Sequence, residues 1–164
     1  MTNKIYSVLF VCTGNSARSI IAEGLMNDAA RGRFKAYSAG SHPTGVVNPF
    51  ALDALAELRI PTDGFRSKSW DEFSGPDAPR LDFMFTVCDA AAGESCPFLP
   101  GQPMTAHWGV SDPAAFQGSD DDKRRRFRAT AVTLKRRIDL MLSLPIERLD
   151  SMALQQQIKN IGQR

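Results

Sequence analysis

Three cysteines and two histidines in 164 residues are too few for a disulfide scaffold or for most zinc modules. Cys12, Cys88 and Cys96 form an odd set, so any intramolecular pairing leaves one thiol free, and no Cys-x-x-Cys turn is present. No apolar run approaches the ~20 residues of a membrane span. The N-terminal apolar stretch is too short for a signal peptide and lacks a small-residue cleavage pattern, so the expected setting is cytoplasmic, with no membrane partner. Charge of one sign is scarce too: 20 basic against 18 acidic side chains leave +2, too little to imply a nucleic-acid partner. Repeats and low-complexity segments are missing. What remains, 43% hydrophobic and 23% charged residues, is ordinary composition for one domain with a good core.

The hydrophobic pattern predicts a doubly wound α/β fold: a three-layer, open, mostly parallel sheet with helices on both faces. Tyr6–Val11 is apolar and rich in strand formers, and after Arg18 the spacing of Ile21, Leu25 and Met26 is helical. Phe34–Gly40 reads as a short strand. Residues 41–47 read as a loop, and Asn48 and Pro49 as the cap and first turn of a helix with a buried stripe of Leu52, Leu55 and Leu58 beside Ala51 and Ala54. Ser69–Phe73 has the pattern of a capping box opening a short helix. Leu81–Val87 and Met104–Trp108 are further strands, each leading into residues with chemistry. Phe127, Ala131, Leu134, Ile138 and Met141 then mark a long amphipathic helix, capped by Ser119, with Asp120, Asp121 and Asp122 opposing its dipole. The basic run Lys123–Arg128 lies on the solvated side of this helix, so packing explains it. Residues 1–144 are expected to form the domain, and 145–164 a helical extension of it carried by Leu154, Ile158 and Ile161.

The chemistry centres on Cys12-Thr13-Gly14-Asn15-Ser16-Ala17-Arg18-Ser19, between the first strand and the first helix. Backbone amides, a helix N-terminus and the Arg18 guanidinium can together hold a tetrahedral oxyanion, and the same donors stabilise a thiolate at Cys12. Ser19 can reach back to the sulfur as a hydroxyl donor, and Asn15 tolerates the left-handed conformation that turns amides inward. Asp112, stiffened by Pro113, is a candidate general acid for a leaving oxygen, although an Asp before Pro can equally close an ordinary Asx turn. Cys88 ends its strand as Cys12 ends the first, so the two sulfurs can share one crevice. Cys96 follows after seven residues that include Gly93. These two thiols read as a relay, as inert buried groups, or, with His107, as metal ligands, and the spacing matches no zinc module. His42 and His107 are better explained as loop and strand-end hydrogen bonders, and Trp70 and Trp108 as packing residues.

The segments Val11–Ser19, Ala22-Glu23-Gly24, Tyr37–Gly40, Val87-Cys88-Asp89, Cys96-Pro97, His107-Trp108-Gly109 and Asp112-Pro113-Ala114 resemble the low-molecular-weight protein tyrosine phosphatase superfamily, specifically its thiol-coupled arsenate reductases, over about Tyr6 to Leu142. The resemblance implies that Cys12 attacks arsenate, that Thr13–Ser19 including Arg18 bind it, and that Asp112 protonates the departing hydroxide. It further implies that Cys88 attacks the Cys12 sulfur to release arsenite, and that Cys96 takes over the disulfide, which thioredoxin, or glutaredoxin with glutathione, then reduces. No bound cofactor or metal is implied, and a monomer is expected. In relatives a monovalent cation lies near the positions of Asn15, Glu23 and Ser38; here the Lys68 ammonium is expected to take its place. The alternative within the superfamily is a phosphatase that hydrolyses phosphate monoesters through a phosphocysteine at Cys12. Such phosphatases present aromatic side chains after the Asp-Pro pair, where this chain has Ala114 and Ala115, with Phe116 next.

Overall fold

The computed structural model describes residues 4–88 and 102–164. In chain order the elements are β1 (Tyr6–Cys12), α1 (Arg18–Ala29), β2 (Phe34–Gly40), α2 (Pro49–Glu57), β3 (Phe83–Thr86), β4 (Met104–His107), α3 (Asp120–Leu142) and α4 (Ser151–Ile161), with short 3-10 turns at Trp70–Phe73, Pro113–Ala115 and Ile146–Arg148. The strands form one parallel sheet in the order β2-β1-β3-β4, so the fold is α/β. Val8, Leu9, Phe10 and Val11 are all buried, so β1 is covered on both faces, as a central strand of a parallel sheet must be.

The core is aromatic along β1 and β3. Phe85 stacks on Trp108 at 4.1 Å between ring centroids, and Phe10 packs against both. Over this layer α1, α2 and α3 pack on one another. The expected stripe of α3 is buried in full, and Ser119 Oγ accepts the Asp122 amide at its N-terminus. Its basic run is largely engaged in surface ion pairs: Arg124 with Asp53 and Asp121, Arg125 with Asp122, and Arg128 with Glu57. Solvent screens such exposed pairs, so they orient the helix surface more than they stabilise it.

Two local expectations are corrected. The stripe of α2 is Ala51, Ala54 and Leu55; Leu58 caps the helix and is 45% exposed, because the chain turns there through a left-handed Arg59 before Pro61. Ser69 caps the Asp71 amide, but the turn it opens is a single 3-10 turn, and Glu72 pairs with Arg66 instead of closing a box.

The last helix, α4, covers the edge strand. Trp108 Nε1 donates to the Ile158 carbonyl and Gln155 Nε2 to the Thr105 carbonyl, so α4 caps polar groups that an open sheet edge would leave to solvent or to another chain. Gly162 permits the approach, since a Cβ there would lie 2.2 Å from the His107 carbonyl oxygen. Ile158 is fully buried and Met152, on the same helix, is 85% exposed. Ile158→Ala is therefore expected to cost about 3 kcal/mol and Met152→Ala less than about 0.5, read from urea unfolding midpoints. Equal effects would mean that α4 does not belong to the cooperative core.

Candidate active site

β1 and β3 are neighbours whose connections leave in opposite directions, and the crevice at their carboxyl ends is where open α/β sheets collect ligands. The register pairs Val11 with Thr86, and the Val87 amide donates to the Val11 carbonyl, so Cys12 ends β1 and Cys88 follows two residues beyond the end of the adjacent β3. Both thiols are free and buried, and the Thr13 hydroxyl bridges toward the second sulfur, with Oγ1 3.6 Å from Cys88 Sγ. Cys96 lies outside the described residues.

The loop after Cys12 is held from outside. The carbonyls of Cys12, Thr13, Gly14 and Ser16 accept the amides of Ser41, His42, Thr44 and Asn48. Ser67 Oγ also donates to the Gly14 carbonyl and accepts the Gly45 amide. With its carbonyls drawn toward the 41–48 segment, the loop turns amides to the opposite side. Asn15 completes the turn in a left-handed conformation at φ +46°, and its amide donates to Cys12 Sγ over 3.3 Å. The start of α1 carries no side-chain cap, which leaves its first amides as donors for an anion.

Behind the sulfur runs a directed chain of hydrogen bonds. The Lys68 amide donates to Asn15 Oδ1, which fixes the carboxamide; Asn15 Nδ2 donates to Ser19 Oγ, which frees the Ser19 hydroxyl proton for Cys12 Sγ at 3.0 Å. Asn15 and Ser19 are wholly buried, so these bonds are made in a low dielectric and hold one geometry. Beneath Asn15, Ser38 Oγ donates to Glu23, whose carboxyl burial pushes above its usual range against the pull of Ser38 and Lys68. The Lys68 ammonium lies 3.9 Å from Glu23 and donates to the Arg66 carbonyl, and burial lowers its pKa against the attraction of Glu23.

At the mouth, Arg18 Nη1 donates to the Val110 carbonyl and Nη2 lies 3.8 Å from Asp112 Oδ2. Asp112 closes the turn before Pro113 with Oδ1 on the Ala114 amide, while its Oδ2 faces the arginine of the anion loop. The structure thus brings Cys12, Thr13, Gly14, Asn15, Ser16, Ala17, Arg18, Ser19, Cys88 and Asp112 to one end of the sheet. Among the described residues no group of three or more His, Cys, Asp or Glu could hold a metal ion, and no helix is long and apolar enough to cross a membrane. Sequence reasoning missed Ser67 and the role of Gly40. A Cβ on Gly40 would lie 2.5 Å from the Thr13 carbonyl oxygen and 3.0 Å from the Asn15 amide nitrogen; the only trace in sequence is a glycine ending a strand.

Comparison with known proteins places this geometry. Residues 7–157 match the family described as low molecular weight phosphotyrosine protein phosphatase. The chain is 37% identical over 123 residues to an arsenate reductase of Bacillus subtilis, covering 75% of this chain and 84% of that one. It is 35% identical over 131 residues to an arsenate reductase of Halalkalibacterium halodurans, covering 80% and 91%. Among solved structures, the arsenate reductase of Archaeoglobus fulgidus is similar with a TM-score of 0.59 and 30% identity, over 80% of this chain and 98% of that one. An arsenate reductase in the phosphate binding state gives a TM-score of 0.68 at 25% identity, over 84% and 97%.

Because Thr13 and Asn15 of the anion loop crowd Gly40, its substitution reports on the loop. Gly40→Ala is expected to weaken inorganic phosphate binding at least about tenfold in calorimetric titration and to cost about 1–3 kcal/mol of stability. Unchanged phosphate affinity would show that the loop does not depend on the approach of β2.

Proposed function

The chain belongs to the low molecular weight phosphotyrosine protein phosphatase family, and from that premise we propose that it reduces arsenate to arsenite by an intramolecular thiol relay. The observation that carries this reading is Cys88, a second buried thiol just beyond the end of the strand beside Cys12, contacted by the Thr13 hydroxyl of the anion loop. A hydrolase has no use for it.

The Cys12 thiolate attacks arsenic, and one oxygen leaves as water with a proton from Asp112, giving a Cys12 sulfur–arsenic(V) adduct held by Arg18 and the loop amides. The Cys88 thiolate attacks the Cys12 sulfur; the sulfur–arsenic bond breaks with its electron pair on arsenic, which leaves as arsenite, and a Cys12–Cys88 disulfide forms. Cys96 attacks Cys88, restoring the Cys12 thiolate and forming a Cys88–Cys96 disulfide, which two electrons from an external thiol system, thioredoxin or glutaredoxin with glutathione, reduce. The protein needs no bound cofactor for this sequence. It does need a reducing compartment, which supports a cytoplasmic setting.

Phosphate ester hydrolysis at the same loop is the competing reading. Ala114 and Ala115 after the Asp-Pro pair offer no ring to a phosphotyrosine, and the Phe116 ring is engaged by Arg126 at 4.5 Å. The deciding experiment follows arsenate-dependent NADPH oxidation with thioredoxin and its reductase, beside turnover of a phosphate monoester. Cys12→Ser is expected to abolish both, by at least ~10³-fold. Cys88→Ser and Cys96→Ser are expected to lose reduction and keep any phosphatase turnover. Normal arsenate reduction by Cys88→Ser would sink the relay.

Lys68 supplies a second test. With its ammonium beside Glu23 and its amide on Asn15, it does the work of a monovalent cation under the loop. Rates in potassium and sodium salts at equal ionic strength are therefore expected to agree, and marked activation by potassium would overturn this role.

A further inference from the structure

Between the Gly109–Phe116 segment and α3 lies a cavity of about 530 Å³, within the range of small-molecule sites. The loop amides that face the reacting sulfur are not part of it. Arg137 forms its floor. This side chain is only 7% exposed and has no acidic partner among the described residues, and burial lowers its pKa with further push from Arg136. Nη1 is fully used, donating to the Trp108 and Gly109 carbonyls at 2.8 and 3.0 Å. Nε is the one buried side-chain nitrogen or oxygen among the described residues with no partner at all.

A buried guanidinium left without a counter-charge is costly, and the edge left over here, Nε with Nη2, is the fork that takes a carboxylate through two parallel bonds. A second cation stands at the rim. Arg126 lies over the Phe116 ring at 4.5 Å and has no acidic partner among the described residues, whereas Arg124, Arg125 and Arg128 of the same helix are all paired. The opposing charge is Asp112, whose Oδ2 faces Arg18 and whose Oδ1 is bound to the Ala114 amide. Thr130 and Thr133 spend their hydroxyl protons on α3 carbonyls and present the cavity with compact, uncharged walls.

We propose that this cleft binds a small carboxylate with a flat apolar body, its carboxylate on the free edge of Arg137 and its body along the shelf made by Phe116 and Arg126. The occupant would share the Gly109–Pro113 backbone with the general acid without touching the reacting loop. Binding does not require the arsenate reading to hold, so the two can fail separately.

The test uses the whole protein, benzoate as probe and benzamide as its neutral match, followed by amide chemical shifts. Benzoate is expected to shift Gly109–Phe116 and the α3 amides around Thr130 and Thr133 most, and to bind at least about tenfold more tightly than benzamide. Arg137 holds two carbonyls, so the variants are placed elsewhere. Arg126→Gln is expected to weaken benzoate about threefold or more, and Thr133→Phe, which fills the cavity, to abolish it. Largest shifts at residues 13–17, equal binding of benzamide, or undiminished binding by both variants would each overturn the proposal. Loss of the cleft with arsenate turnover intact would leave the proposed function standing, and the reverse outcome would leave the cleft.

Discussion

The outward capture of the loop carbonyls is the constraint from which the site follows. A peptide plane has two polar ends, and neither can be buried without a partner. Once Ser41, His42, Thr44 and Asn48 take the carbonyls of Cys12, Thr13, Gly14 and Ser16, the amides of the loop are turned to the other side, where the Cys12 sulfur or a bound oxyanion can accept them. The 41–48 segment can make those bonds because β2 runs parallel to β1 in a register that sets Gly40 opposite Cys12. The anion site is thus a consequence of strand pairing as much as of the loop's own sequence.

Two further layers hold this arrangement in one state. Asn15 is the hinge between them: its left-handed backbone aims its amide at the sulfur, and its carboxamide joins the Lys68 backbone to the Ser19 hydroxyl. Replacing any member leaves a buried donor or acceptor unpaired, at about 1–3 kcal/mol each. Glu23 and Lys68 below are each disfavoured by burial and sustained by one another and by Ser38. Such a pair adds little net stability, because desolvation consumes most of the attraction. The Lys68 backbone that reaches Asn15 is held on its other side by the Gly40 amide, which donates to the Lys68 carbonyl.

Most of this was legible in sequence where chemistry and period coincide. Cys12, Gly14, Asn15, Arg18 and Ser19 between a strand pattern and a helix pattern were enough to foresee the hydroxyl on the sulfur and the left-handed turn, because both follow from residue type and spacing. The α3 stripe was equally clear over about four turns of regular period. Failures came where the deciding partner is remote. Leu58 fits the helical period of α2, yet it is exposed because the helix stops one residue before it. Glu72 stands three residues after Ser69 but pairs with Arg66, which local pattern cannot weigh. Gly40, Ser67 and Arg137 act only through residues distant in the chain, so no window of sequence displays them.

The same distinction separates the two chemistries open to this family. Everything that binds and activates an oxyanion is local to residues 12–19 and their supports, and it serves hydrolysis and reduction alike, since both begin with sulfur attacking a tetrahedral centre. What differs is the fate of the sulfur adduct: attack by water at the central atom hydrolyses it, whereas attack by a thiol at sulfur delivers two electrons. That outcome depends on which nucleophile can line up with Cys12 Sγ. Here the adjacent strand is followed two residues on by Cys88, a buried thiol with a hydroxyl of the anion loop beside it. In the proposed relay, the register between β1 and β3 would do for the second step what the register between β1 and β2 does for the anion loop, setting a second thiol at the end of the sheet where the first is activated.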